Sequence, residues 1–330
     1  MKAKKAPVLE QKTQEFIDGL AAKGGKPIYK LKPAAARQVL EHLQSEKIEK
    51  QPIRIEDTTL PVGPEGKVSV RILRPQNGNG EKLPVIMYFH GGGWILGSAN
   101  THDRLVREIA VGVHAAVVFV NYTPSPEAQF PTPIEEAYAA TKYIAENGEK
   151  MNLDTSHMLV AGDSVGGNMA IAVTLLAKKR HGPKIHFQAL FYPVTNADLN
   201  TPSYKQYAKG PWLTKPAMKW FWDAYLPDVS KRKDHLASPL MASIEELKGL
   251  PPALVITDEN DVLRDEGEAY AHKLMQAGVH VTSVRMLGTS HDFMMLNGLA
   301  DTPAARGAIG IGIHHLREAL KTEKRLRMTG

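Results

Sequence analysis

Cysteine is absent from all 330 residues. This excludes disulfides, thiolate metal sites and a cysteine nucleophile, but leaves the redox compartment open. Long apolar runs are missing too, so no segment approaches the length of a membrane span. The start is basic from Met1 to Lys5, yet Ala6 to Lys12 form no apolar h-region of a secretory leader. A cytoplasmic protein without stable membrane insertion is expected. Internal repeats and low-complexity tracts are also lacking. With no Cys/His ligand cluster, neither a metal nor another cofactor is expected.

The body of the chain lacks net charge. Lys2, Lys4 and Lys5 supply half of the formal +6, and Lys321, Lys324, Arg325 and Arg327 against Glu323 supply the other half. Basic ends on a neutral body are solvated tails rather than a binding face, so no nucleic-acid partner is expected.

What the chain does have is apolar content, 43% of its residues, enough for one large core. From Val68 onward, short β-rich runs alternate with helical patterns, which predicts an α/β fold with a mostly parallel sheet. Residues 84–89 form a continuous apolar run, as a strand buried on both faces requires. Further strands are read at 53–60, 68–73, 115–120, 158–161, 187–192, 253–257 and 279–286, about eight in all. Helical periodicity fills 103–113, 132–147, 165–180, 264–277 and 302–320. Asn77-Gly78-Asn79-Gly80 reads as a hairpin turn.

Two regions break the alternation. Residues 1–50 read as two helices, around 11–22 and 33–47, ahead of a catalytic domain at 51–330. The sixty residues between the strands ending near 192 and starting at 253 are too many for one crossover. Their centre, about 198–240, reads as an inserted helical cap. The insert holds Trp212, Trp220 and Trp222, three of the four tryptophans. These aromatics either fill a small core or line an apolar pocket, and one residue can do both. Trp94, Tyr122, Trp212 and Phe221 are the candidate substrate-pocket residues.

Two short motifs carry the chemistry. Gly162-Asp163-Ser164-Val165-Gly166-Gly167 follows one strand and fits Gly-x-Ser-x-Gly, the elbow that exposes a nucleophilic serine. His90-Gly91-Gly92-Gly93-Trp94 follows another and fits a glycine loop that offers backbone N–H donors to an oxyanion. The serine motif alone arises by chance in roughly one chain in ten this rich in glycine. Its position between strand and helix, with the second motif upstream, makes it informative. Gly92, Gly93 and Val165 are the expected oxyanion donors; His90, Gly91 and Asp163 support the motifs, with Asp163 in structural hydrogen bonding.

A serine hydroxyl needs an adjacent base, itself oriented by a carboxylate. In an elbow fold the acid and then the histidine follow the serine, each after a strand. His181 and His186 come too early, His235 lies in the insert, and His272, His314 and His315 lie in helical patterns. His280 falls within the run 279–286. His291 alone lies just past the last strand. The acid must follow the strand at 253–257, and position leaves Asp258 or Asp261.

These residues resemble the hormone-sensitive-lipase family of α/β-hydrolases, microbial carboxylesterases with a Gly-Asp-Ser-Ala-Gly elbow. The resemblance covers about residues 35 to 320. His90–Trp94 matches its glycine loop, and Pro126-Glu127-Ala128-Gln129-Phe130-Pro131 resembles Pro-Glu-x-x-Phe-Pro. Asp261–Glu266 resembles Asp-Pro-Leu-Arg-Asp-Glu, whose first aspartate is the acid, so the resemblance implies Asp261. It also implies an α/β-hydrolase fold, a cap from the N-terminal helices and insert, and a homodimer through the last strand and helix. The implied activity is hydrolysis of short- to medium-chain carboxylic esters by Ser164, His291 and Asp261. The related readings are an amidase or deacetylase with the same triad, and a binding protein like plant gibberellin receptors. Val165, Val262 and Asp292 depart from the usual Ala, Pro and Gly; Asp292 adds a charge beside His291.

Overall fold

A computed structural model describes residues 7–76 and 80–328. Before the sheet come helices α1 (Gln11–Lys23) and α2 (Pro33–Leu43). The body then runs β1 (Ile53–Leu60), β2 (Val68–Pro75), β3 (Leu83–Phe89), α3 (Asp103–Val113), β4 (Ala116–Asn121), α4 (Thr132–Asn147), β5 (Leu153–Asp163), α5 (Val165–Lys179) and β6 (Ile185–Phe191). Short helices α6 (Pro202–Gln206), α7 (Lys215–Tyr225) and α8 (Ile244–Leu247) follow. The chain finishes with β7 (Ala253–Asn260), α9 (Arg264–Gln276), β8 (Val281–Ser290) and α10 (Pro303–Met328).

The eight strands form one sheet in the order β1-β2-β4-β3-β5-β6-β7-β8. Only β2 runs antiparallel, to both β1 and β4. The central strands β3, β4 and β5 are apolar on successive residues and buried on both faces, as a helix-sandwiched parallel sheet demands. At the edges, β1 and β8 bury only alternate or terminal positions. The helix after the elbow, α5, is buried from Val165 to Ala177 and is therefore apolar all round.

Three expectations are revised. Residues 77–79 lie outside the described residues, and the segment around them is no hairpin: β2 pairs with β1 and β4, never with β3. β8 starts at Val281, after His280, and continues through Ser290, so residues 287–290 are strand rather than loop. α10 runs on to Met328. The alternating pattern ended β8 early because Gly288 and the polar Thr289 and Ser290 look like a turn.

The N-terminal segment is fastened to the body by polar contacts together with Ala36 and Leu40 of α2, which are buried in the core. In α1 only Thr13 is buried. Glu10 N–H donates to Gly288 O at 2.9 Å, and Asn260 Nδ2 donates to Val8 O at 2.9 Å. From α2, Arg37 donates to Ile95 O and Ser125 O and forms a two-pronged pair with Glu127 at 2.6 and 2.8 Å. Buried Gln44 donates to Thr101 O and Met295 O and accepts from Asn297 N–H.

Arg37→Ala leaves two carbonyls and a carboxylate without their donor. It is expected to cost about 1–3 kcal/mol in urea unfolding, with limited proteolysis cutting first before β1.

Candidate active site

Ser164 sits where β5 hands over to α5, at φ 55° and ψ −120°. A non-glycine residue in the left-handed φ range is strained, and neighbouring backbone holds it. Ser164 N–H donates to Phe191 O at 2.8 Å, and its carbonyl accepts from Val194 N–H at 3.1 Å. The flanking glycines are steric necessities. A Cβ at Gly166 would lie 2.0 Å from Phe89 O, and one at Gly162 2.3 Å from Gly166 O. The elbow therefore presses directly on the end of β3.

His291, immediately after β8, meets the serine: its Nε2 lies 2.8 Å from Ser164 Oγ, and its Nδ1 2.7 Å from Asp261 Oδ2. Of the two candidate aspartates, Asp261 is the nearer; Asp258 Oδ2 stands 4.0 Å from Nδ1. Asp261 Oδ1 accepts from Leu263 N–H, which fixes the carboxylate's rotamer. The Tyr192 ring packs edge-on against the imidazole at 5.0 Å. On the other side Asp292, at φ 66°, places Oδ1 3.4 Å from Nε2 while Oδ2 accepts from Trp212 Nε1 at 2.8 Å. Burial alone would lower the His291 pKa, but Asp261, Asp292 and Asp258 together raise it above the usual histidine range.

The loop Gly91–Gly93 runs beside the elbow, with Gly92 at φ 103° and Gly93 at φ 64°. Among the described residues, the N–H groups of Gly92, Gly93 and Val165 donate to no turn, loop or cap carbonyl. Such unspent donors at the start of a helix suit a developing anion. Beneath them Asp163 is fully buried, accepting from Tyr88 Oη at 2.7 Å and pairing with His102 Nε2 at 3.1 Å. Burial would raise the Asp163 carboxyl, but His102 and Tyr88 hold it low. A Cβ at Gly91 would lie 2.3 Å from Asp163 Oδ2, so this pair sets where the glycine loop runs. His90 stacks between Tyr122 and Phe119, and burial with nearby His102 pushes its pKa down to about 3.

Above Ser164 opens a cavity of about 590 Å³ whose walls are largely apolar. Leu20, Leu43, Leu213, Met218 and Phe221 contribute to it, with Ser164 and His291 at its floor. Of the four candidate pocket residues, Trp212 and Phe221 line it. Trp94 and Tyr122 do not. Trp94 is fully buried and stacked on Tyr225 at 3.9 Å, and Tyr122 donates its hydroxyl to His90 O. Both brace the glycine loop from behind, a role that a motif position cannot distinguish from pocket lining. Phe221 also crosses the glycine loop: a Cβ at Gly93 would lie 2.0 Å from its ring.

The alpha/beta hydrolase fold family matches residues 86–295. The Mycobacterium tuberculosis carboxylesterase NlhH is 40% identical over 278 residues, 81% of this chain and 83% of that protein. The solved structure of a thermostable esterase from Pseudomonas putida ECU1011 superposes with a TM-score of 0.93 at 49% identity, covering 96% of this chain and 99% of that one. A fungal esterase from Rhizomucor miehei follows at a TM-score of 0.91 and 39% identity, covering 97% and 99%. The chain belongs to the α/β-hydrolase carboxylesterases. It is a carboxylic-ester hydrolase of the hormone-sensitive-lipase-like group that its motifs resemble.

Several parts of this esterase's site carry no motif. Asp258, the other candidate acid, is fully buried. His102 has no pattern that marks it as the partner of Asp163. The cavity residues Ile17, Leu20, Val39 and Leu43 were legible only as one face of two helices, and their half-exposure is explained by facing a cavity rather than a core.

A base must be neutral to accept a proton, so a raised His291 pKa displaces the acid limb of the rate profile upward. Asp292→Asn removes one of the negative charges while its amide oxygen still accepts from Trp212. The acid limb of kcat/KM is expected to move to lower pH, read on a chromogenic ester from pH 5 to 10. An unmoved limb would show that Asp292 exerts no charge on His291.

Proposed function

We propose that this carboxylesterase hydrolyses short- to medium-chain esters through Ser164, His291 and Asp261. The observation that carries the reading is the unbroken line from Ser164 Oγ through His291 to Asp261, with 2.8 and 2.7 Å steps, at the floor of an apolar cavity. His291 Nε2 takes the Ser164 proton as Oγ attacks the ester carbonyl. Asp261 accepts from Nδ1–H, keeping the tautomer that leaves Nε2 free and stabilising the imidazolium. The N–H groups of Gly92, Gly93 and Val165 receive the oxyanion. His291 then protonates the departing alcohol, and a water activated by the same nitrogen releases the acid from Ser164.

Cavity size supports the chain-length reading. A volume of about 590 Å³ lies mid-range for small-molecule sites and here must hold both acyl and alcohol parts. The walls come from α1, α2 and α7, which we read as the cap over a catalytic body beginning at β1. β8 is a sheet edge with Leu287 67% exposed, which fits a homodimer through that strand. No helix among the described residues is long and apolar enough to cross a membrane, which fits a cytoplasmic enzyme acting on small esters.

Ser164→Ala is expected to lose at least about a thousandfold in turnover of p-nitrophenyl butyrate while unfolding at the wild-type temperature. His291→Ala is expected to fall by a similar factor, and His280→Ala, exposed ahead of β8, by less than about twofold. Retained turnover in the first two refutes the assignment. Across p-nitrophenyl esters, kcat/KM should peak between acetate and octanoate and collapse at palmitate; a palmitate optimum would contradict the cavity argument.

A further inference from the structure

Asp258 is a carboxyl without an evident structural task. It lies on β7, opposite Met286 of β8, and is fully buried. Neither side-chain oxygen has a hydrogen-bond partner among the described residues. Most of its carboxylate neighbours do structural work. Asp265 accepts from Ser203 N–H, Glu266 from Thr195 and Asn196 N–H, and Glu259 from Gly288 N–H. Asp258 instead faces the catalytic histidine, with Oδ2 4.0 Å from Nδ1. One oxygen of Asp258, one of Asp261 and a His291 nitrogen all lie within 4.8 Å of one another.

We propose that Asp258 is a reserve acid for His291, a carboxyl positioned to take the Nδ1–H bond when Asp261 does not hold it. This rests on the reading of His291 as the base. Two carboxyls this close and this buried do not both ionise, so one keeps its proton. Asp261 has the better partners, a Leu263 N–H on one oxygen and His291 on the other. Asp258 is therefore the neutral member: burial, followed by the Asp261 charge, pushes its carboxyl well above the usual carboxylate range. The groups facing it are Asp261, His291, Asp292 and the Tyr192 hydroxyl. Each is either anionic, neutral or its target, and no lysine or arginine among them competes. With the Asp261 carboxylate gone, the charge that adds to burial in keeping Asp258 protonated is gone, and burial is the main opposition left to its ionisation. Asp258 then releases its proton to solvent, and its carboxylate moves about 1 Å to accept from Nδ1–H at ordinary hydrogen-bond length. Nε2 still takes the Ser164 proton, so the reaction balances as before.

The test is a double-mutant cycle on the full chain with p-nitrophenyl butyrate. Asp261→Ala, which opens space beside Nδ1, is expected to lose roughly a hundredfold in kcat/KM. Loss of a triad carboxylate with no substitute costs roughly ten-thousandfold. Adding Asp258→Asn should cost the Asp261→Ala enzyme about a further hundredfold, at least tenfold more than the same change costs the native enzyme. The Asp261→Ala profile should also gain a second rise with pH beside the His291 limb, as Asp258 must now ionise, and that second rise should vanish in the double variant. Equal factors in both backgrounds, or a second rise that persists without Asp258, overturns the proposal. Should the double variant fail to fold, a missing second rise in Asp261→Ala alone overturns it. His291→Ala separates the premises: if it keeps its activity, the triad reading has failed and not merely this inference.

Discussion

The constraint on which the site depends is a backbone contact with no room for a side chain. At the turn from β5 into α5, the Gly166 Cα presses against the carbonyl of Phe89, at the end of β3. That contact fixes the distance between two neighbouring strand ends and thereby between the two loops that leave them. The serine is on one loop and the glycine N–H groups are on the other. Because β3 and β5 are adjacent and parallel, their carboxyl ends open on the same side. β7 and β8 deliver Asp261 and His291 to that side as well. No single element holds the site; the sheet order does.

Around His291 the electrostatics are unusual in number rather than kind. Asp261 sits on one nitrogen, Asp292 beside the other, and Asp258 behind the first. The Asp261 and Asp292 charges around one buried imidazole favour its charged form, the form present once serine has given up its proton. The same arrangement works against the resting neutral form. Beneath the elbow a separate buried pair, Asp163 with His102, does no chemistry on the serine and instead holds the glycine loop in place.

Much of this was legible in the sequence because it depends on local periodicity and chain order. The apolar runs of β3 to β5, the elbow glycines and the position of His291 after the last strand all have signatures of a few residues. What was illegible depends on contacts far apart in the chain. Trp94 looks like a pocket residue because it ends the glycine motif, yet its left-handed backbone turns the ring inward onto Tyr225. Tyr122 is likewise consumed by stacking on His90. Asp258 and Asp261 differ by three residues, and position alone does not separate them; the motif resemblance favours Asp261, whose Oδ2 lies 2.7 Å from Nδ1 against 4.0 Å for Asp258. Arg37 and Glu127 are ninety residues apart, and nothing local announces that they meet.

The fastening of residues 7–44 has one more consequence. Their grip on the body uses main-chain atoms at Val8 and Glu10, polar side chains at Arg37 and Gln44, and the buried Ala36 and Leu40. Ile17, Leu20 and Val39 face the cavity, whereas Leu40 and Leu43 both face it and pack on the core. Attachment and selectivity are thus written largely, though not wholly, in different letters of the same helices. Evolution, or an engineer, has an exchangeable lining here: Ile17, Leu20 and Val39 can be rewritten while the clasp, and the chemistry beneath it, stays unchanged.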